Sequence, residues 1–300
     1  MSQRPLLSTF IFTGFALLAF AGNSVLCRLA LGEQSIDAGS FTVIRLISGI
    51  VSLLLLWYLT GGHKTAPGKQ KAGRGSWSAA LMLFIYALGF SYAYISLDTG
   101  TGALILFGAV QITMILVSLV RGTRLLWVEW LGLVLAFSGF VYLLLPVLNT
   151  PSLWGFILMT TAGMAWGIYT LIGRGSVNPL ADTYFNFFRT LPLVILTLMF
   201  TLALGNAVLT VDGVLLAIVS GAVASGIGYA VWYRALSGLT AVQAAVLQLL
   251  VPVIAAAGGV VFTREVISVR LLIAALLVLG GILLVVVGRY YLQQRRAKLL

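Results

Sequence analysis

Charge is what this sequence lacks most. Asp, Glu, Lys and Arg make up 8% of its 300 residues, against about 25% in a soluble domain. So few charges cannot cover a water-facing surface, so lipid must be the solvent for most of the chain. Cysteine is nearly absent. Cys27 is alone, which excludes an intramolecular disulfide, and its apolar surroundings make it a packing residue. The single histidine, His63, lies in a basic loop. No His/Cys cluster can therefore hold a metal, and neither metal nor cofactor is expected. Acids are scarce too, 7 against 18 basic residues, for a formal net charge of +11. In a soluble protein that excess would point to nucleic acid. Here the basic residues fall between apolar runs and at the C-terminus, with no aromatic–basic interleaving. They read as topology determinants and contacts for anionic lipid, and no nucleic-acid partner is expected.

What is abundant is apolar: 61% of the residues are hydrophobic and the mean hydropathy is +1.09. A spanning helix needs about 20 mostly apolar residues. The first five such runs lie near Ser8–Leu31, Gly39–Thr60, Trp77–Leu97, Thr101–Val120 and Leu126–Leu145. The second five lie near Ser152–Gly173, Ala181–Gly205, Val211–Ala235, Thr240–Phe262 and Ser268–Tyr290. The chain is thus expected to be an all-α integral membrane protein of ten transmembrane helices in one membrane domain. Ala19-Phe20-Ala21 resembles a signal-cleavage site, but apolar character continues to Leu31, so the first run is read as a retained helix. The Gly- and Lys-rich stretch Gly61–Ser76 reads as a mobile loop.

Orientation follows from the basic residues. With the N-terminus inside, Arg4, Lys64, Lys69, Lys71, Arg74, Arg121, Arg124, Arg174, Arg234, Arg289, Arg295, Arg296 and Lys298 face the cytoplasm. The outside then receives Arg28, Arg264 and Arg270 with Glu33, Asp37, Asp98, Asp212 and Glu265. The opposite orientation would expose the Lys64–Arg74 cluster and the basic tail. Both termini are therefore expected in the cytoplasm of a cell with a bacterial-type inner membrane.

The two halves resemble each other. Gly22 is followed by Arg28 near a helix end and by Arg45 inside the second span. Gly167 is followed by Arg174 and by Arg189 inside the seventh, about 144 residues further on. Ser96-Leu97 before a tight turn corresponds to Ala235-Leu236, and Gly139 to Gly281. Five helices is an odd number, so the halves, residues 1–148 and 149–300, would be inverted in the membrane. Inverted repeats are the usual architecture of carriers that expose a midplane site to each side in turn.

Ala165-Trp166-Gly167 followed by Arg174, the in-span arginines, the stretch Leu249-Leu250-Val251-Pro252-Val253 followed by Glu265, and the Gly280-Gly281 helix together resemble the EamA-like ten-helix branch of the drug/metabolite transporter superfamily. The resemblance covers nearly the whole chain. Two departures are Ala21, where the first half often has tryptophan, and Thr113, which faces Pro252 in the repeat. The resemblance implies a central cavity lined by spans one, three, four, six, eight and nine, and export of small metabolites, often amino acids. Length and aromatic content are most similar to the YddG-like aromatic amino acid exporters. A membrane-embedded enzyme is not expected, for want of a catalytic group at depth. Hydrophobic drugs and nucleotide sugars are the alternative cargoes, and a channel is a more distant alternative.

In-span polar side chains tend to face the protein interior or a water-filled cavity. Asn23, Gln111, Gln243 and Gln248 are the substrate-contact candidates, with Ser24 and Thr113 beside them. Helix–helix hydrogen bonding is the competing role. Tyr86, Trp166, Tyr169 and Tyr229 are the aromatic candidates for an apolar pocket that still offers hydrogen bonds. Tyr92, Trp232 and Tyr233 stand near enough to a helix end to be interface-belt residues. Arg45 and Arg189 are expected to be structural, snorkelling to the interface or bonding helix-end carbonyls. Attraction of a substrate carboxylate is their alternative role. The seven acids stand at interfaces or in loops, where none can serve as a mid-span proton relay or offset a cationic cargo. Transport of neutral or zwitterionic solutes, downhill or weakly coupled, follows as the expectation. Pro252, inside the ninth span, is the leading hinge candidate, with Pro192 similar in the seventh. The partners expected are a small-molecule substrate and membrane lipid, and the sequence leaves the oligomeric state open, with a monomer as one option.

Overall fold

Ten apolar segments separated by short polar turns give ten helical spans in the computed structural model, which describes residues 6–60, 74–120, 122, 126–144, 152–173, 176–205, 207–236, 239, 244 and 247–297. They are α1 (Leu6–Gly32), α2 (Ala38–Leu59), α3 (Trp77–Ala93), α4 (Thr99–Val120) and α5 (Trp127–Leu144), then α6 (Leu153–Gly173). α7 runs as two pieces, Pro179–Arg189 and Leu191–Ala203. α8 runs as three: Val211–Val219, a π-helical segment Ser220–Ile227, and Gly228–Leu236. α9 (Leu250–Phe262) and α10 (Val269–Ala297) complete the set. Among the described residues, seven spans are long and apolar enough to cross a membrane, and α3, α5 and α9 are shorter apolar helices. The 17 residues of α3 reach about 25 Å, less than a hydrocarbon core of about 30 Å.

Helix starts are written in the turns. Asp37, Ser76, Asn178 and Thr210 each accept a hydrogen bond from a backbone N–H in the first turn of α2, α3, α7 and α8, which satisfies donors that have no partner inside the helix. The two proline expectations resolve differently. Pro192 lacks the N–H that would bond the Phe188 carbonyl, and α7 breaks at Thr190, whose N–H turns to Phe187 at 3.0 Å. Pro252 does not interrupt a helix interior. It stands in the first turn of α9, where an N–H has no partner inside that helix, and the chain bends just upstream at Leu249. The loop expected to be mobile lies largely outside the described residues, as do Gln243 and the start of the expected ninth span.

The spans pack in a reciprocal scheme. α1 lies against α8 and α9, α6 lies against α3 and α4, α5 pairs with α10, and α2 packs on α7 and on the π segment of α8. Small residues set these distances. A side chain at Gly221 would meet the Arg45 carbonyl oxygen at 2.1 Å, and one at Gly132 would meet the Gly281 carbonyl at 2.5 Å. The outward faces carry large apolar side chains, Phe137 67% exposed and Leu276 75%. Such residues belong against lipid.

Contacts between turns fall at two ends of the bundle. At one end the α1–α2 turn meets the α7–α8 turn, where Ile36 and Leu209 form an isolated antiparallel bridge. There Asp37 accepts hydrogen bonds from the N–H of Ser40 (2.8 Å) and Val208 (3.0 Å). At the other end Asp182 accepts from the N–H of Gly75 at 2.9 Å, and Asn186 from that of Ser76 at 2.8 Å. The sequence-based orientation assigns the first end to the outside and the second to the cytoplasm.

Candidate functional site

The centre of the bundle is aromatic because four spans each send a ring there. Trp166 on α6 is the hub. Its ring centroid lies 4.8 Å from Tyr86 on α3, 4.7 Å from Tyr229 on α8 and 5.2 Å from Tyr169, on which it stacks. Phe20 on α1 closes the ring set, 5.9 Å from Tyr229 and 5.7 Å from Trp232. Tilted and edge-on pairs of this kind add to the burial energy of each ring. Phe20, Asn23, Tyr86, Phe90, Leu106, Phe107, Trp166 and Tyr229 line a cavity of about 10 Å³, about the space of one water molecule. The centre is closed in this conformation.

A polar cluster adjoins the rings. The Asn23 amide donates to the Tyr86 hydroxyl (3.3 Å), and its carbonyl accepts from Ser220 Oγ (2.6 Å). Arg45 on α2 donates through Nη2 to the same Tyr86 hydroxyl at 2.9 Å and through Nε to Ser225 Oγ at 3.3 Å. Its guanidinium lies over the rings of Tyr86 (5.1 Å) and Phe90 (4.8 Å). Arg45 is 2% exposed, and Nη1 has no hydrogen-bond partner among the described residues. The Tyr229 hydroxyl and Ser24 Oγ are in the same position. Arg45 therefore does not snorkel. The close packing of α2 on Gly221 and Gly226 carries its side chain inward, and no route to the interface is left.

Arg189 is half-buried at the end of the first piece of α7. It donates to the carbonyls of Arg74 and Phe185 and lies over the Trp77 ring at 5.8 Å. Gln111 on α4 donates to Gln248 at 3.4 Å; both are buried. One helical turn separates Gln111 from the cavity residue Phe107, so this amide pair joins α4 to the residues leading into α9 beside the centre. Among the belt candidates, Tyr92 is 38% exposed at a span end, whereas Trp232 is 6% exposed and packs on Phe20. Trp232 is a core residue because its turn of α8 faces α1.

The end of the bundle that holds the α9–α10 turn carries an ion-pair network. Glu265, in the α9–α10 turn, accepts from the Thr99 N–H (2.9 Å) and hydroxyl (3.0 Å) at the start of α4, a helix N-terminus that favours an anion. Arg28, at the end of α1, reaches Glu265 at 3.3 Å and Asp98 at 3.5 Å, and donates to the Tyr94 carbonyl at 3.1 Å. Partial burial and the neighbouring Glu265 carboxylate raise the Asp98 pKa, with Arg28 pulling the other way.

Sequence reasoning missed Ser220, Ser225, Phe20, Phe90 and Phe107. The run Ser220-Gly221-Ala222-Val223-Ala224-Ser225-Gly226 is made of small residues. Its π-helical winding, the form often found at functional sites, brings both serines to the polar cluster, and no periodicity of 3.6 would place them together.

Residues 153–287 match the EamA-like transporter family. The chain is 50% identical over 264 residues to the uncharacterized protein PA1977 of Pseudomonas aeruginosa, covering 88% of this chain and 89% of that one. A protein crystal structure superposes over 95% of this chain and 98% of its own with a TM-score of 0.61 at 18% identity, a likeness of fold alone.

Proposed function

We propose, from the premise that this chain belongs to the EamA-like transporter family, that it exports small neutral or zwitterionic solutes, foremost amino acids with aromatic side chains, across a bacterial inner membrane. The observation that carries this reading is the closed aromatic centre, where Tyr86, Trp166 and Tyr229 from three spans meet around Asn23 and a cavity too small for any solute. A site that is apolar, ringed by aromatics and supplied with a few hydrogen-bonding groups suits a small amphipathic cargo. Its closure fits an intermediate between two open states.

The transport cycle is alternating access between two inverted five-helix halves, residues 1–148 and 149–300. Exchange of the halves turns α1 against α8 and α9 into α6 against α3 and α4, and the packing contains both sets. It also turns Asp37 at one end into Asp182 at the other, and both acids hold backbone N–H groups of the opposite half. The bend at Leu249 beside Pro252 and the break at Thr190 beside Pro192 are the hinges. Both termini lie in the cytoplasm, by the distribution of basic residues.

Counterflow of labelled neutral amino acids in proteoliposomes tests the reading. Accumulation of aromatic amino acids is the expected result, without obligatory proton exchange. Trp166→Ala and Gln248→Ala should each shift substrate preference. Unchanged preference in both would remove them from the site, and strict proton exchange would contradict an uncoupled carrier.

A further inference from the structure

Arg45 is a buried cation that makes no ion pair among the described residues. Asp98 and Glu265 pair with Arg28, and the partners of Arg45 are the neutral hydroxyls of Tyr86 and Ser225. Rings of Tyr86 and Phe90 offset part of the desolvation of its charge, but a guanidinium offers five N–H donors and Nη1 is unused. The surrounding groups add to this surplus. The Tyr86 oxygen already accepts from both Arg45 and Asn23. The Tyr229 hydroxyl is buried beside Tyr86 and Ser225 and makes no well-aligned hydrogen bond among the described residues. A buried cluster with one positive charge, an unused guanidinium donor and no anionic acceptor is costly as it stands. A carboxylate would complete it, because it is acceptor-only and offers about four lone-pair sites.

We infer that Arg45, Tyr86 and Tyr229 form the receptor for a carboxylate on the transported solute; this rests on the transport reading above and names the group that the carrier selects. Tyr86 and Tyr229 also line the central cavity. A carboxylate held between them leaves the rest of the solute against Trp166, Leu106 and Phe107. Entry requires the spans to part, since the closed cavity has no room. With a single guanidinium the receptor suits a monoanionic group on an apolar or aromatic body.

The test uses purified full-length protein and two readouts. In detergent, thermal unfolding is followed with 3-phenylpropionate, 3-phenylpropionamide or sodium chloride at matched ionic strength. In proteoliposomes, uptake of L-phenylalanine is compared with that of L-phenylalaninamide. The wild type is expected to be stabilised by the carboxylate and by neither the amide nor chloride. It should prefer the acid over the amide by about 100-fold, the effect of a buried charge-assisted fork. Arg45→Gln should abolish the stabilisation and bring the preference within about threefold. Tyr229→Phe, which removes just one hydroxyl, should cut the preference by about tenfold and serves if Arg45→Gln does not fold. Full retention of the acid preference in Arg45→Gln, or in Tyr229→Phe if that variant alone folds, overturns the proposal, and so does equal stabilisation by chloride. If wild-type liposomes take up neither compound, the amino acid reading fails, while carboxylate stabilisation lost in Arg45→Gln still establishes the receptor.

Discussion

Asp37 opens α2 and Arg45 follows inside it; Asp182 stands in the first turn of α7 and Arg189 in the last turn of that helix's first piece, yet only the acids do the same work. Each aspartate holds the N–H of a turn from the opposite half. The arginines part company. Arg45 is sealed among Tyr86, Phe90 and Ser225, whereas Arg189 ends at carbonyls and the Trp77 ring at the edge of the bundle. The two acids brace turns at both ends of the bundle, and the fully buried arginine stands on α2. The cause is local: α2 lies on Gly221 and Gly226 of a π-helical segment, and that contact turns Arg45 inward.

Removing the cause should have the largest effect. A Cβ at Gly221 meets the Arg45 carbonyl and Ser48 Oγ at 2.1 Å, and backbone cannot yield as a flexible side chain can. Gly221→Leu is expected to abolish the folded monodisperse peak in size-exclusion chromatography; a normal peak would show that α2 has room to move. Next comes the pair of arginines. Arg45→Gln should lower phenylalanine uptake by about 100-fold, the size of a charge-assisted bond of about 3 kcal/mol. Arg189→Gln should stay within about threefold, as for an exposed cation. Equal losses at both sites would erase the contrast.

The ten spans and the paired arginines were legible in the sequence because hydropathy and spacing report them directly. Depth along a helix was legible too, which is why Tyr86, Trp166 and Tyr229 could be chosen. Rotation about the helix axis was not. It placed Trp232 in the core and Arg45 in the centre, and it depends on which face of α2 meets which face of α8. The π winding of Ser220–Ile227 and the bend upstream of Pro252 have no sequence period that would reveal them.

The acids sharpen the shared half of the comparison. Asp37→Ala and Asp182→Ala should each lower the thermal midpoint by a few degrees, in line with about 1 kcal/mol for a lost cap or turn contact. The two losses should add in the double variant, because the sites stand at opposite ends. Strong non-additivity would mean the ends are coupled in the closed state. The smallest effect belongs to Asp98. Its pKa is raised by burial and by Glu265 against the pull of Arg28, so the folded state binds its proton more readily than the unfolded chain does. Stability should therefore rise as pH falls through that raised pKa and fall again as pH rises through it. With its side chain 61% exposed the slope is shallow, and Asp98→Asn should remove it in a pH series of thermal midpoints.

The central claim is that solute passes between the halves through the aromatic centre, open to one side at a time. Thiol labelling of Phe107→Cys in a Cys27→Ser background tests it most directly, with a membrane-impermeant reagent applied from each side and Leu104→Cys, fully buried away from the cavity, as the control. Labelling from either side, slowed by phenylalanine and faster than at position 104, is the predicted result. Labelling from neither side, or at the control rate, would contradict it.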